Sequence, residues 1–280
     1  MDVMTAVLLT YNHEKTIARA FDSILEQQTG FDFEIFVLED HSTDATADIC
    51  RRYKERFPDK IRLFLNEKNL GVARNLKQGL LRVKSKYFAF LDGDDYWCDK
   101  NKLQKQVDAL EQNSDCTICG HNTLCKDLIK QTEWLIVENS RFNGKRKYTL
   151  NDNFPCHPSS RVYRNTIDLT DVPPNMLFDT RIYMLYLTKG DFYYINDVMS
   201  VFNSTGAGFW SGKSRKERKL LSLELNYQTN RYFNFAYDHR FYPGVKYLNL
   251  LKKLLGVERG WEWFYRLEKI RLQLAFLGRR

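Results

Sequence analysis

The run Asp92-Gly93-Asp94-Asp95 sets three carboxylates around one glycine. Carboxylate oxygens at that density suit a hard divalent cation, which in turn suits a ligand carrying phosphates. The residues before it, Tyr87-Phe88-Ala89-Phe90-Leu91, form an apolar aromatic stretch that reads as a buried strand. Ligands bind at the carboxyl tips of strands in open α/β sheets. An acidic run standing alone would be a solvated turn, so its chemistry depends on what else the chain brings to that edge.

The elements that must position the cluster are legible in the first hundred residues. Residues 3–10 predict a strand, and Tyr11-Asn12-His13 a turn. Ile17, Ala18, Phe21, Ile24 and Leu25 then recur at helical spacing. Strands are predicted at 33–38, 61–65 and 86–91, with helices at about 43–56 and 72–83 between them. Strands joined by crossover helices imply a parallel sheet, which brings Tyr11-Asn12, Asp40, Asn66 and Asp92–Asp95 to one edge. A further helix is predicted over 99–112. Beyond it strands dominate, at 116–124, 131–138, 160–164, 191–195 and 198–202, with a helix at 178–189. The glycine- and serine-rich stretch 203–215, which contains Trp210, suits a lid over a ligand. The expected division is a body over 1–215 (halves 1–100 and 101–215, the second with the closing loop) and a helical extension over 216–280.

Composition narrows the class. Hydrophobic residues make up 43% and charged residues 28% of 280, which is ordinary for a globular chain with a real core. No apolar run approaches the roughly 20 residues needed to span a bilayer, and the N-terminus lacks the basic flank of a signal peptide. The six cysteines are scattered, which favours a reducing cytoplasm. Cys116-x-x-Cys119, with His121 and Cys125 nearby, reads as a buried strand rather than a zinc site, because no second pair completes it. The net charge is +8, and ten Lys/Arg against three acids fall between His239 and Arg280. The rest is close to neutral, which argues against nucleic acid as a partner. In the extension, leucines and aromatics form stripes beside Lys and Arg. That pattern suits an anionic membrane surface for residues 243–280, or packing on the body or on a second copy of the chain.

At the strand tips the sequence resembles family 2 glycosyltransferases. Val7-Leu8-Leu9-Thr10-Tyr11-Asn12-His13-Glu14 resembles their opening strand, and Val37-Leu38-Glu39-Asp40-His41-Ser42-Thr43-Asp44 their second-strand motif. Asn69-Leu70-Gly71-Val72-Ala73-Arg74-Asn75 is similar to their third element, and Phe90-Leu91-Asp92-Gly93-Asp94-Asp95 to their DXD metal-binding motif. Further on, His157-Pro158-Ser159-Ser160 resembles a mid-domain segment, Phe178-Asp179 the place of the acidic base, and Phe209-Trp210-Ser211-Gly212 the end of the closing loop. The chain departs at His41, where the family carries glycine, and at Asn203 and Thr205, where Arg and His are common.

The resemblance implies a GT-A fold, an α/β architecture with a mostly parallel central sheet flanked by helices. It also implies an inverting, metal-dependent transferase of hexosyl or N-acetylhexosaminyl type. The donor would be a nucleotide-diphosphate sugar, of uridine in particular, and the acceptor a saccharide or lipid-linked saccharide of bacterial surface polysaccharide. The implied site is Asp94 and Asp92 for Mn²⁺ or Mg²⁺, with Asp92 also toward the ribose. Asp95 supports the metal, and Asp179 is the general base. Thr10, Tyr11, Asn12 and Asp40 would meet the base of the nucleotide, and Arg74 a phosphate or Asp40. Glu14, His157 and Trp210 stand as supporting residues. Such an enzyme would be cytoplasmic, peripheral on the inner face of the membrane, and able to self-associate. Two other classes compete: a nucleotidyltransferase on a similar fold, though Thr10-Tyr11-Asn12-His13 is no phosphate loop, and a partner subunit that binds nucleotide sugar without turnover.

Overall fold

The computed structural model describes residues 3–138, 143–146, 156–177, 181–206, 208, 212–236 and 246–275. The chain divides into two compact units, the first ending at Asn203 and the second beginning at Ser204.

The first unit opens with the alternation β1 (Met4–Thr10), α1 (Ile17–Leu25), β2 (Phe33–Glu39), α2 (Thr46–Arg56), β3 (Ile61–Leu65), α3 (Val72–Leu80) and β4 (Tyr87–Asp92). β1 and β2 are almost wholly buried because helices cover both faces of a parallel sheet, which is why they read as continuous apolar runs. Ile17, Ala20, Phe21 and Ile24 bury one face of α1 against it. Phe21 stacks on Tyr53 of α2 with centroids 4.2 Å apart.

The strand order is β3-β2-β1-β4-β9-β6-β10-β5. The first four strands are mutually parallel. Their registers match Thr10 with Glu39, Glu39 with Leu65, and Leu9 with Asp92, so the four tips end level. The remaining elements are β5 (Tyr96–Trp97), α4 (Lys102–Gln112), β6 (Cys116–Asp127), β7 (Thr132–Leu135), β8 (Gly144–Arg146), β9 (Val162–Arg164), α5 (Arg181–Leu187) and β10 (Asp191–Ser204). β4 meets β9, and β9 meets β6, in antiparallel pairs.

The two short strands predicted at 191–195 and 198–202 are one strand of 14 residues. Asn196-Asp197 reads as a turn, but β10 continues through it, paired with β8 before that point and β5 after it. Lys105 ties down the exposed Asp197 carboxylate at 2.7 Å. β8 has no clear sequence signal, since Gly144-Lys145-Arg146 is polar and short.

The second unit contains α6 (Arg215–Tyr232), α7 (Lys246–Leu255) and α8 (Val257–Ala275). Ser214 and Glu217 form a reciprocal capping box at the start of α6. Leu223, Phe235, Leu248, Trp261 and Phe264 form the core. The apolar stripes predicted for the extension therefore split, with Leu248, Trp261 and Phe264 turned inward while Leu254, Leu255, Leu267 and Ile270 are exposed. No helix among the described residues is long and apolar enough to cross a membrane.

Candidate active site

The level tips of β1 and β2 are bound to each other through side chains. Asn12 takes the left-handed backbone conformation (φ 56°), and its Oδ1 accepts the Thr43 N–H at 2.8 Å. The Asn12 N–H donates to Ser42 Oγ at 2.9 Å. His41, at the usual glycine position, also has a left-handed φ of 62°, which accounts for the family's glycine. The buried Glu39 carboxylate accepts the N–H groups of His41 and Ser42 at 3.2 and 2.7 Å and holds that turn. Glu14 Oε2 accepts the Ala45 N–H at 3.1 Å, so its carboxylate steadies the entry to α2.

Asp40 is 3% exposed and tied on both oxygens. Oδ1 accepts from Asn66 Nδ2 at 2.9 Å and from the Leu70 N–H at 2.8 Å, and Oδ2 accepts the Gly71 N–H at 2.9 Å. Beneath it Asn75 Oδ1 accepts from Asn66 at 3.0 Å, while Asn75 Nδ2 donates to the Leu38 carbonyl at 3.1 Å. Asp40 thus holds the loop between β3 and α3 and keeps little free acceptor capacity for a nucleotide base. Tyr11 is 42% exposed at the same edge. Arg74 is exposed and makes no ion pair among the described residues, with Asp40 or any other acid.

The β4 tip carries the carboxylates. The Gly93 N–H donates to the Leu9 carbonyl at 2.8 Å. A Cβ at Gly93 would lie 2.6 Å from His13 Nδ1, 2.9 Å from Ile17 Cδ1 and 3.0 Å from Thr10 Oγ1, so any larger residue here must displace these side chains. Asp92 and Asp94 are partly exposed. Asp94 Oδ1 is 4.0 Å from His13 Nε2. Asp95 is 2% exposed; its Oδ1 accepts the Asn203 N–H at 3.0 Å, and Asn203 Nδ2 donates to the Asp94 carbonyl at 2.7 Å. Asn203, where the family often carries Arg, is therefore a tie to the cluster, reached from the end of β10.

Asp95 Oδ2 is buried without a hydrogen-bond partner among the described residues. His157 Nδ1 is 3.9 Å from it. That nitrogen accepts the Ser159 N–H at 3.3 Å, and burial, aided by Arg161, lowers the His157 pKa to about 3, so the ring is neutral. Burial first, then Asp94 and Asp92, push the Asp95 carboxyl well above its ordinary range. A buried oxygen with no donor, beside two further carboxylates, fits a divalent cation. Among the described residues no three His, Cys, Asp or Glu side chains form a closed metal cage. Mg²⁺-type sites commonly use one or two carboxylates, with ligand phosphates and water completing the shell.

The structure gathers Thr10, Tyr11, Asn12, Asp40, Asp92, Asp94, Asp95 and His157 around the edge formed by β2, β1 and β4. Asp179 and Trp210 lie outside the described residues. Asp191 and Asp197, two further carboxylates of that half, stand six or more residues up β10 from Asn203. At ~3.3 Å per residue that is roughly 20 Å or more along the strand from Asn203, and both pair with lysines. The motifs do not reveal the supporting roles of Glu39, Asn66 and Asn75. Their signal is only that each polar residue sits at or near a buried strand tip, where it must find a partner.

A level parallel edge with paired carboxylates at one tip, flanked by a mixed second half, defines the GT-A class of glycosyltransferases. The sequence pattern of Glycosyl transferase family 2 matches residues 5–169. The chain belongs to that family. An uncharacterized protein of Mycobacterium tuberculosis is 32% identical over 220 residues, covering 78% of this chain and 63% of its own length. This chain therefore spans less than two thirds of that relative. The putative teichuronic acid biosynthesis glycosyltransferase TuaG of Bacillus subtilis is 31% identical over 126 residues, 45% of this chain and 49% of its own. Among solved structures, S. aureus TarS in complex with UDP-GlcNAc shares the fold with a TM-score of 0.59 at 19% identity, covering 92% of this chain and 81% of that one. The mannosyltransferase PcManGT from Pyrobaculum calidifontis, in complex with GDP-Man and Mn²⁺, aligns with a TM-score of 0.55 at 17% identity, covering 82% of this chain and 64% of that one.

Proposed function

We propose that this glycosyltransferase moves a sugar, with inversion, from a uridine-diphosphate donor to a hydroxyl of a saccharide or lipid-linked saccharide during surface polysaccharide synthesis. The observation that carries the donor side is the β4 tip, where Asp92 and Asp94 are partly open and Asp95 Oδ2 is buried without a donor among the described residues. Asp94 and Asp92 would hold Mn²⁺ or Mg²⁺, with Asp95 behind them. When bound, that ion offsets the charge growing on the leaving diphosphate. The protein's own residues set the frame: the Asn12–Thr43 and Asp40–Gly71 ties fix the tips, and Tyr11 offers a face to the base. Asp179 is the proposed base for the acceptor hydroxyl. Arg74, exposed and without an acidic partner among the described residues, suits a donor phosphate. The name of the relative TuaG and the sugar nucleotide bound to TarS support the polymer and donor classes.

The test is direct binding. Calorimetry of Mn²⁺ and UDP should show Asp94→Ala weakening Mn²⁺-dependent UDP affinity by at least about tenfold. Unchanged affinity would remove Asp94 from the metal role.

The exposed apolar face of α7 and α8 supports peripheral attachment to the inner face of the membrane. Leu250, Leu254, Val257, Trp263, Leu267 and Ile270 are all exposed there, with Lys253, Arg266 and Lys269 beside them.

A further inference from the structure

We infer that the second unit carries a site for a phosphate-bearing ligand, separate from the donor edge and not dependent on the donor reading. A cleft of about 410 Å³ runs between α6 and α8. Arg215, Arg218, Lys219, Ser222 and Asn226 line one wall, at the three- and four-residue spacing that puts them on one face of α6. Glu268, Arg271 and Leu272 of α8 form the other wall.

The charges of this cleft do not balance. Arg271 donates twice to Glu268 Oε2, at 3.0 and 2.7 Å, which commits the cleft's one acid. Glu217, the nearest acid on α6, is committed to the capping box, where it accepts the Ser214 N–H at 2.8 Å. The side chains of Arg215, Arg218 and Lys219 make no ion pair or hydrogen bond among the described residues. Other arginines of this unit do have carboxylates, Arg231 with Glu258 and Arg266 with Glu262. Three unpaired cations facing one cleft repel one another, and a bound anion reverses that cost. Their place in the first turns of α6 adds the positive end of the helix dipole.

The chemistry selects phosphate. The planar guanidinium forks of Arg215 and Arg218 match phosphate oxygens in pairs, and Lys219 adds a point charge. Ser222, further along the wall, offers a hydrogen bond to a neutral neighbour such as a hydroxyl. The volume lies in the range of small-ligand sites and exceeds what a lone inorganic ion needs. A diphosphate or a sugar phosphate fits this combination, whether it comes from a soluble saccharide or a phospholipid headgroup.

The experiment uses the full chain in EDTA with two probes. Inorganic pyrophosphate is titrated by calorimetry, and phosphatidylglycerol and phosphatidylcholine vesicles are compared by sedimentation. The double variant Arg218→Gln/Lys219→Gln removes two cations from exposed positions, and Arg215→Gln alone serves if the double variant does not fold. Arg51→Gln on α2 is the charge control. Pyrophosphate binding that the double variant weakens at least about tenfold, with Arg51→Gln unchanged, supports the site and a soluble source. Selective sedimentation with phosphatidylglycerol that the variant loses, without pyrophosphate binding, supports a headgroup. No binding of either probe, or equal binding by the wild type and the double variant, overturns the inference.

Discussion

Lys102 shows how a single residue can tie the stability of the first unit to pH. Its side chain is fully enclosed. Nζ donates to Gln106 Oε1 at 2.7 Å and lies 4.2 Å from the centroid of the Trp97 ring. Burial lowers its pKa from 10.5 to about 7. Between those values the unfolded chain holds a proton that the folded one lacks, so stability rises with pH by up to about 1.4 kcal/mol per unit. Below about 7 both states are protonated, and the folded chain carries the full cost of the buried charge. Lys102→Met should therefore be most stabilising, relative to wild type, at pH 6.5, and should lose that advantage progressively toward pH 10. Urea unfolding of both proteins across this range checks it; a difference that does not change with pH would mean the ammonium is not desolvated. The same physics applies to the Asp95 carboxylate, whose burial among like charges favours its neutral form until a cation arrives.

At the scale of elements, the donor edge is built by polar side chains that join strand tips distant in sequence. Asp40→Ala should free the loop between β3 and α3, because the Leu70 N–H loses its acceptor and the Gly71 N–H is left with Asn69 Oδ1. The expected cost is about 2–4 kcal/mol, and hydrogen exchange at those two amides should accelerate ahead of the β1 amides. Equal protection in the variant would show that the loop holds itself. Motif order and the level ends of β1, β2 and β4 were legible in the sequence because hydrophobic runs and crossover helices leave few topologies. Asn203 was not: it lies 108 positions from Asp95, and only β10 brings them together. Strand β10 was misread for a related reason. Asn196-Asp197 has turn chemistry, and pairing with β8 and β5 overrides it.

At the scale of the molecule, the two units have different surfaces. In the second, helical spacing announced amphipathic stripes, but it could not say which apolar residues would be spent on the local core. Leu248, Trp261 and Phe264 are; Leu254, Leu267 and Ile270 are not. Replacing two of the exposed set, Leu254→Asp with Ile270→Asp, should leave the thermal transition within about 3 °C and abolish sedimentation with phosphatidylglycerol vesicles. Retained sedimentation would remove this face from the membrane reading, and a change of oligomeric state instead would assign it to a second copy of the chain.

The ties across the β1 and β2 tips also bear on how the enzyme comes into being. The bonds from Asn12 to Thr43 and from Glu14 to Ala45 each close 31 positions, and Asp95 to Asn203 closes 108. Contacts of that separation carry loop-closure entropy before they return any stabilisation. A chain still emerging from the ribosome can pair β1 with β2 early, yet its carboxylate tip stays unfastened until Asn203 has been made. This edge is thus completed only once β10 has been made, and no nascent chain that stops before Asn203 presents a finished one.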